Sequence, residues 1–251
     1  MKTPQIVLFG DSHVYAVERA IYHRNFKKRP IPLTPYRQLK IKGGKQLGDL
    51  SFDAFLTLIK GLGPDDVVLS MLGGNQHSVY SLVQHPLPFD FFEPGAGNDV
   101  EKGSHVIPYR LLERVFAEGI RNSDGQGIAR LRRSTAARVV HIVPPPPKAD
   151  STYIRQHHET VFAENILAQG VSPASLRLKF WKLQTRILEA LCRAAKVEVL
   201  LPPAIALDKD GFLAPKFYAN DATHANSAYG EAILTEVEQL FTSVGAWQAT
   251  G

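Results

Sequence analysis

Five short apolar runs, each stopped by glycine or proline, leave this chain few ways to fold. Ile6-Val7-Leu8-Phe9 stops at Gly10, Leu39 to Lys42 at Gly43-Gly44, and Val67-Val68-Leu69-Ser70-Met71-Leu72 at Gly73-Gly74. Ala137 to Val143 stops at the run Pro144 to Pro147, and Val197 to Leu201 at Pro202. Leu39 to Lys42, in which lysine alternates with leucine and isoleucine, is a weak strand; the other runs, largely apolar, suit strands covered on both faces, as in a parallel sheet. Between them the apolar spacing turns helical. Val14, Val17, Ala20 and Ile21 mark a first helix, and Leu47, Leu50, Phe55, Leu58 and Ile59 a second from Leu47 to Ile59. A third spans Tyr109 to Ile120, with a short one near Ile128 to Arg133. A long helix opened by Ser172-Pro173 buries Leu176, Phe180, Leu183, Ile187, Leu188 and Leu191 and turns its basic residues outward; the last helix runs from about Tyr229 to Phe241. Strand and helix in alternation predict an α/β fold: a three-layer α/β/α, flavodoxin-like sandwich with a five-stranded parallel sheet. Without an internal repeat, residues 1–251 are expected to form a single domain.

One segment breaks the alternation. From about 83 to 107, His85-Pro86-Leu87-Pro88-Phe89-Asp90-Phe91-Phe92-Glu93-Pro94 and then Gly95-Ala96-Gly97-Asn98 form a Pro- and Phe-rich insertion too long for an ordinary connection. Leaving the sheet at the same edge as Asn75, it is expected to overhang Ser12. Its phenylalanines then either wall a substrate pocket or plug a gap beside the sheet.

Charge and cysteine usage exclude some classes. The formal net charge is +5, from 29 Lys and Arg against 24 Asp and Glu. The basic residues stand in scattered groups, Arg24 with Lys27 to Arg29, Arg130 with Arg132 and Arg133, and Arg177 to Arg186, without a recognition motif. They read as solvated faces, so no nucleic-acid partner is expected. Cys192 is the only cysteine, so no intrachain disulfide can form; it reads as a core residue and not a nucleophile. No leader-like apolar stretch precedes the first strand, and no eighteen apolar residues run uninterrupted, so the expectation is a cytoplasmic chain without a membrane partner. Oligomeric state is not legible.

The strand ends carry the chemistry. In an open α/β sheet, ligands sit at the carboxyl ends of the strands. Asp11-Ser12 follows the first strand, Gly43-Gly44 the second, Gly73-Gly74-Asn75 the third, and Asn220-Asp221-Ala222-Thr223-His224 the fifth. A hydroxyl, an imidazole, a carboxylate and hydrogen-bond donors at one edge are what acyl transfer from an ester requires. Each residue also has a plainer role: Ser12 or Asp221 as a helix cap, Asn75 as the holder of a left-handed turn, His224 as a solvated side chain. His13, His77, His85 and His157-His158 read as surface or pocket histidines. Their spacing suggests no zinc site, and the run from Asp208 to Phe212 lacks the carboxylate series of a calcium loop, so neither metal nor cofactor is expected.

In order and separation, Gly10-Asp11-Ser12, Gly44, Gly73-Gly74-Asn75 and Asp221-Ala222-Thr223-His224 resemble the four sequence blocks of the SGNH (GDSL) hydrolase superfamily. The resemblance implies Ser12 as nucleophile, His224 as general base and Asp221 as the partner that orients it. It also implies an oxyanion hole from the backbone N–H of Ser12 and Gly44 with the side-chain amide of Asn75. Gly43 is the alternative in the second block; Gly44 is preferred because Leu47 and Leu50 then face inward on the next helix. Gln76 stands where the family commonly has Asp, which implies altered loop hydrogen bonding. The expected activity is hydrolysis of a small-molecule or glycan ester, with an acetyl ester on a carbohydrate as one candidate. The alternative is a non-catalytic flavodoxin-like domain that binds a phosphate or sugar.

Overall fold

The computed structural model describes residues 4–95, 99–158 and 162–242. Four of the five expected strands form where the apolar runs lie: β1 (Ile6–Gly10), β5 (Val67–Met71), β8 (Arg138–Ile142) and β9 (Glu198–Leu200). The fifth is β2 (Leu33–Arg37), and all five pair in parallel in the order β2-β1-β5-β8-β9. Helices cover both faces, giving the expected three-layer α/β fold. On one side α1 (Val14–Phe26) and α9 (Ser227–Thr242) pack on Leu8, Leu69 and Ile142. On the other, α2 (Phe52–Ile59), α4 (Tyr109–Ile120), α5 (Gln126–Arg133) and α8 (Ala174–Ala195) close over Phe9, Val68 and Val139. Successive strand residues point to opposite layers, so β1 and β5 are buried throughout.

The second strand corrects the sequence reading. Leu39 to Lys42 is not in the sheet; Lys40–Lys42 (β3) pairs antiparallel with Lys45–Leu47 (β4) in a hairpin. The sheet strand contains Pro35, tolerable because β2 lies at the edge, where a missing N–H forfeits no ladder bond. The following helix accordingly begins at Phe52 and not Leu47, with Ser51 Oγ accepting from the Ala54 N–H at 3.2 Å. Leu47 is half exposed on the hairpin.

After α3 (Gln76–Ser81), the insertion lies on the α4/α8 layer, its short strands β6 (Phe89–Asp90) and β7 (His105–Val106) paired with each other. Residues 96–98 of the expected insertion, Ala96-Gly97-Asn98, lie outside the described residues. Phe91 is fully buried edge-on to Phe180 at 5.2 Å, while Phe92 is half exposed. Lys179 Nζ fastens the segment, donating to both Asp90 carboxylate oxygens at 2.9 Å and to the Phe91 carbonyl at 3.1 Å. Phe91 is thus a plug. Phe91→Ala is expected to cost about 3–5 kcal/mol of stability in chemical denaturation and to leave the ranking of ester substrates unchanged.

Nor do the basic residues all face solvent. Arg24 is buried against Glu231 and Glu238, and Arg177 is buried with its guanidinium donating to the carbonyls of Ser172, Lys148 and Ala149. Buried cations persist only where partners replace their hydration, and periodicity does not reveal such partners. Two further helices, α6 (Ser151–Gln156) and α7 (Ala163–Gln169), fill the stretch before α8.

Candidate active site

Two loops at the carboxyl edge of the sheet, one after β1 and one before α9, bring Ser12, His224 and Asp221 into one hydrogen-bonded line. Ser12 follows β1 and lies exposed one residue before His13, the N-cap of α1. Its Oγ is 2.8 Å from His224 Nε2, and His224 Nδ1 donates to Asp221 Oδ2 at 2.8 Å. Asp221 is not a helix cap. Its Oδ1 accepts from the backbone N–H of Thr223 at 2.8 Å and of His224 at 2.7 Å, closing a turn that points the imidazole back at the serine. The N-terminus of α9 is served by Asn226, whose Oδ1 accepts from the N–H groups of Ala228 and Tyr229. Burial pushes the Asp221 carboxyl up, but the hydrogen bonds and charge of His224 and the two backbone donors outweigh it and hold it well below the usual carboxylate range.

Lys148, just past the proline run, supports this turn from beneath. It is buried, and its Nζ donates to the carbonyls of Ala219, at 2.7 Å, and of Asp221. The ammonium lies 4.9 Å and 5.0 Å from the ring centres of Tyr153 and Tyr218. Burial lowers its pKa to about 8 against the opposing pull of Asp221.

The Gly73-Gly74 loop delivers Asn75. Asp11 Oδ2 accepts from the Gly73 N–H at 2.8 Å, and Asp124 Oδ2 from the Gly74 N–H at 3.1 Å. The Gly74 carbonyl accepts from Gln184 Nε2 at 2.8 Å and from His77 Nδ1 at 2.9 Å. Both glycines have positive φ, and a Cβ on Gly73 would lie 2.0 Å from the Asp124 carboxyl carbon, so glycine is required there sterically as well as conformationally. Asp124 comes from a π-helical turn (Arg121–Gly125) between α4 and α5, and burial pushes its carboxyl up. Asn75 itself is right-handed, which removes the left-handed-turn reading. Gln76 Nε2 donates to Ser123 Oγ at 3.1 Å, tying the loop to that π turn.

Gly44 is not where its role would need it. It sits in the exposed turn between β3 and β4, with no neighbouring atom within 4 Å of a Cβ built on it, and neither Leu47 nor Leu50 lies on the helix that favoured it. Gly48, with φ +100°, lies tight against the Arg37 and Gln38 carbonyls at the end of β2, and the Gln38 N–H donates to the Gly10 carbonyl at 2.8 Å.

His13 and His77 were expected at the surface or in a pocket; both are buried, and His77 lines a small cavity with Ser78, Lys148 and Arg177. Helical spacing marks His13: with Val17 and Ala20 it falls on the inward stripe of α1. Burial keeps the two uncharged, with pKa values lowered to about 3 for His13, where the charge of His224 adds to the effect, and about 4 for His77; His141, buried in β8, is likewise lowered to about 4. Such groups take up protons on unfolding as pH falls below 6.5, so the stability they contribute is complete above that value and is lost toward pH 4. With all three titrating, the fall in stability steepens below pH 6.5 toward a limit of about 4 kcal/mol per pH unit in mid-window. Melting temperature against pH checks this, and a flat profile from pH 7 to 4.5 would contradict it. Cys192 is buried and its thiol pushed up to about 12, unsuited to nucleophilic work. Among the described residues no three His, Cys, Asp or Glu side chains converge as a metal site, and no helix is long and apolar enough to cross a membrane.

No protein-family model matches this chain, and no curated protein matches it in sequence. Solved structures do match in fold. An extracellular lipase from Streptomyces rimosus aligns over 94% of this chain and 99% of its own with a TM-score of 0.51 and 10% identity. A GDSL-like lipase from Bacteroides thetaiotaomicron aligns over 97% and 93% with a TM-score of 0.49 and 14% identity. A carbohydrate acetylesterase from Sinorhizobium meliloti aligns over 95% and 100% with a TM-score of 0.46 and 15% identity. At that level of identity the likeness is one of fold: the chain shares the α/β/α fold of the Streptomyces rimosus lipase.

Proposed function

We propose that this protein is an ester hydrolase that works through an acyl-enzyme on Ser12. The observation that carries the reading is the line Ser12 Oγ, His224, Asp221, with both links at 2.8 Å. In this reading Ser12 Oγ attacks the ester carbonyl carbon while His224 Nε2 takes its proton. Asp221, ionised, holds the Nδ1–H and stabilises the imidazolium. The tetrahedral oxyanion receives the Ser12 N–H and the Asn75 side-chain N–H, with Gly48 in place of Gly44 as the second backbone donor. His224 returns the proton to the departing alcohol, and water activated by the same imidazole releases the acid. The reading needs no metal or cofactor, and a cytoplasmic location is part of it.

We also propose a short acyl group, with an acetyl ester on a carbohydrate as the candidate substrate. What supports this is that Phe91, one of the phenylalanines that could have walled an apolar acyl pocket, is spent in the core, whereas exposed Asn75 and Lys40, whose Nζ lies 2.5 Å from Asp11 Oδ1, leave a polar rim. A panel of nitrophenyl esters of rising chain length, run on the wild type beside Ser12→Ala, tests it. Acetate and propionate should turn over fastest; a rate that climbs toward octanoate contradicts the short acyl group without touching the triad.

A further inference from the structure

The residue after the proposed nucleophile has work of its own. His13 is 6% exposed, wedged between His224, whose ring centre is 5.1 Å away, and Asn75, whose Oδ1 accepts from His13 Nε2–H at 3.2 Å. Asn75 is the N-cap of α3, a place where asparagine ordinarily spends its side-chain oxygen on the helix's free N–H groups. Here it caps nothing: the oxygen turns to His13 instead. The oxygen and nitrogen of an amide lie on opposite branches of one plane, so fixing Oδ1 fixes the direction of Nδ2. Among the described residues Nδ2 has no hydrogen-bond partner, so both its N–H groups are free for a ligand. Rotating the amide by half a turn would bring Nδ2 against the His13 N–H, donor facing donor, which closes off the idle orientation.

We propose that His13 is a positioning residue for the oxyanion donor: its Nε2–H locks the Asn75 amide with Nδ2 presented to the developing oxyanion. The inference rests on the reading of Ser12 as the nucleophile. Electrostatics agree with the geometry. Burial and the neighbouring His224 keep the His13 ring neutral, so it does not oppose the imidazolium that forms on His224 about one ring-width away.

A double-mutant cycle on a short-chain nitrophenyl ester tests this. Asn75→Ala should lower kcat about a hundredfold to a thousandfold. His13→Leu should lower kcat about tenfold to a hundredfold with KM nearly unchanged, and His13→Leu combined with Asn75→Ala should be no slower than Asn75→Ala alone. His13→Gln, which keeps an N–H close to the lost Nε2, should recover most of the His13→Leu loss. Losses that multiply in the double variant, or a His13→Gln as slow as His13→Leu, would overturn the proposal, because a merely structural histidine would behave that way. Long-range nitrogen–proton correlation on the wild-type ring gives a readout independent of whether the variants fold: the proton is expected on Nε2, and a proton on Nδ1 overturns the proposal. A wild type inert to every ester and to fluorophosphonate would instead overturn the assignment of Ser12, and this inference with it.

Discussion

Ser12→Ala should abolish ester hydrolysis, with kcat reduced by about a millionfold, while far-UV circular dichroism and the melting temperature stay near the wild-type values. The size follows from the chemistry, since without Oγ there is no acyl-enzyme and the oxyanion donors are left to assist only a direct attack by water. The fold should not suffer, because Ser12 is exposed and its hydroxyl bonds only His224. Loss of the methylene-borne hydroxyl at such a site opens no cavity.

Asp221→Asn should be the second largest loss, about ten-thousandfold in kcat with a small change in KM. The reason is a tautomer. Asp221 Oδ1 is occupied by the N–H groups of Thr223 and His224, so an asparagine that keeps those bonds presents its NH2 to His224 Nδ1, where Oδ2 now accepts. The imidazole then answers with Nδ1 as acceptor and carries its proton on Nε2, facing Ser12 as a donor when it should be a base. Since the wild-type carboxyl lies well below the usual range, it remains ionised throughout any ordinary assay, and its titration should leave no trace in the pH profile. Steady-state kinetics from pH 5 to 9 check both points; near-wild-type turnover in Asp221→Asn would remove Asp221 from the proposed triad.

How much of this was legible depends on what each residue packs against. β1, β5 and β8 lie inside the sheet under helices on both faces, and their sequences are nearly unbroken apolar runs for that reason. β2 is at the edge, carries Pro35 and faces solvent along part of its length, so its sequence reads as a loop while the neighbouring hairpin reads as a strand. With residues 40–47 folded out as a hairpin, Gly44 sits in its exposed turn, while Gly48 packs against the end of β2. The positions of Ser12 and Asn75 were readable because each closely follows a sheet strand, and those of Asp221 and His224 because they share one short block just ahead of α9. Asp124 and Lys148 were not, because they reach the site from a π turn and a proline-rich loop, and their partners are backbone N–H and C=O groups that leave no pattern in sequence. Gln76 was expected to alter the hydrogen bonding of its loop, and it reaches Ser123 in that same π turn.

The most direct test of Ser12 as an activated nucleophile is stoichiometric labelling with a fluorophosphonate followed by peptide mass spectrometry. The account predicts one adduct per chain, on the peptide bearing Ser12, forming rapidly in the wild type, slowly in Asp221→Asn and not at all in Ser12→Ala. A wild-type chain that stays unmodified, or an adduct that persists at the same rate in Ser12→Ala, would contradict it and return the protein to the class of flavodoxin-like domains that bind a ligand without covalent chemistry.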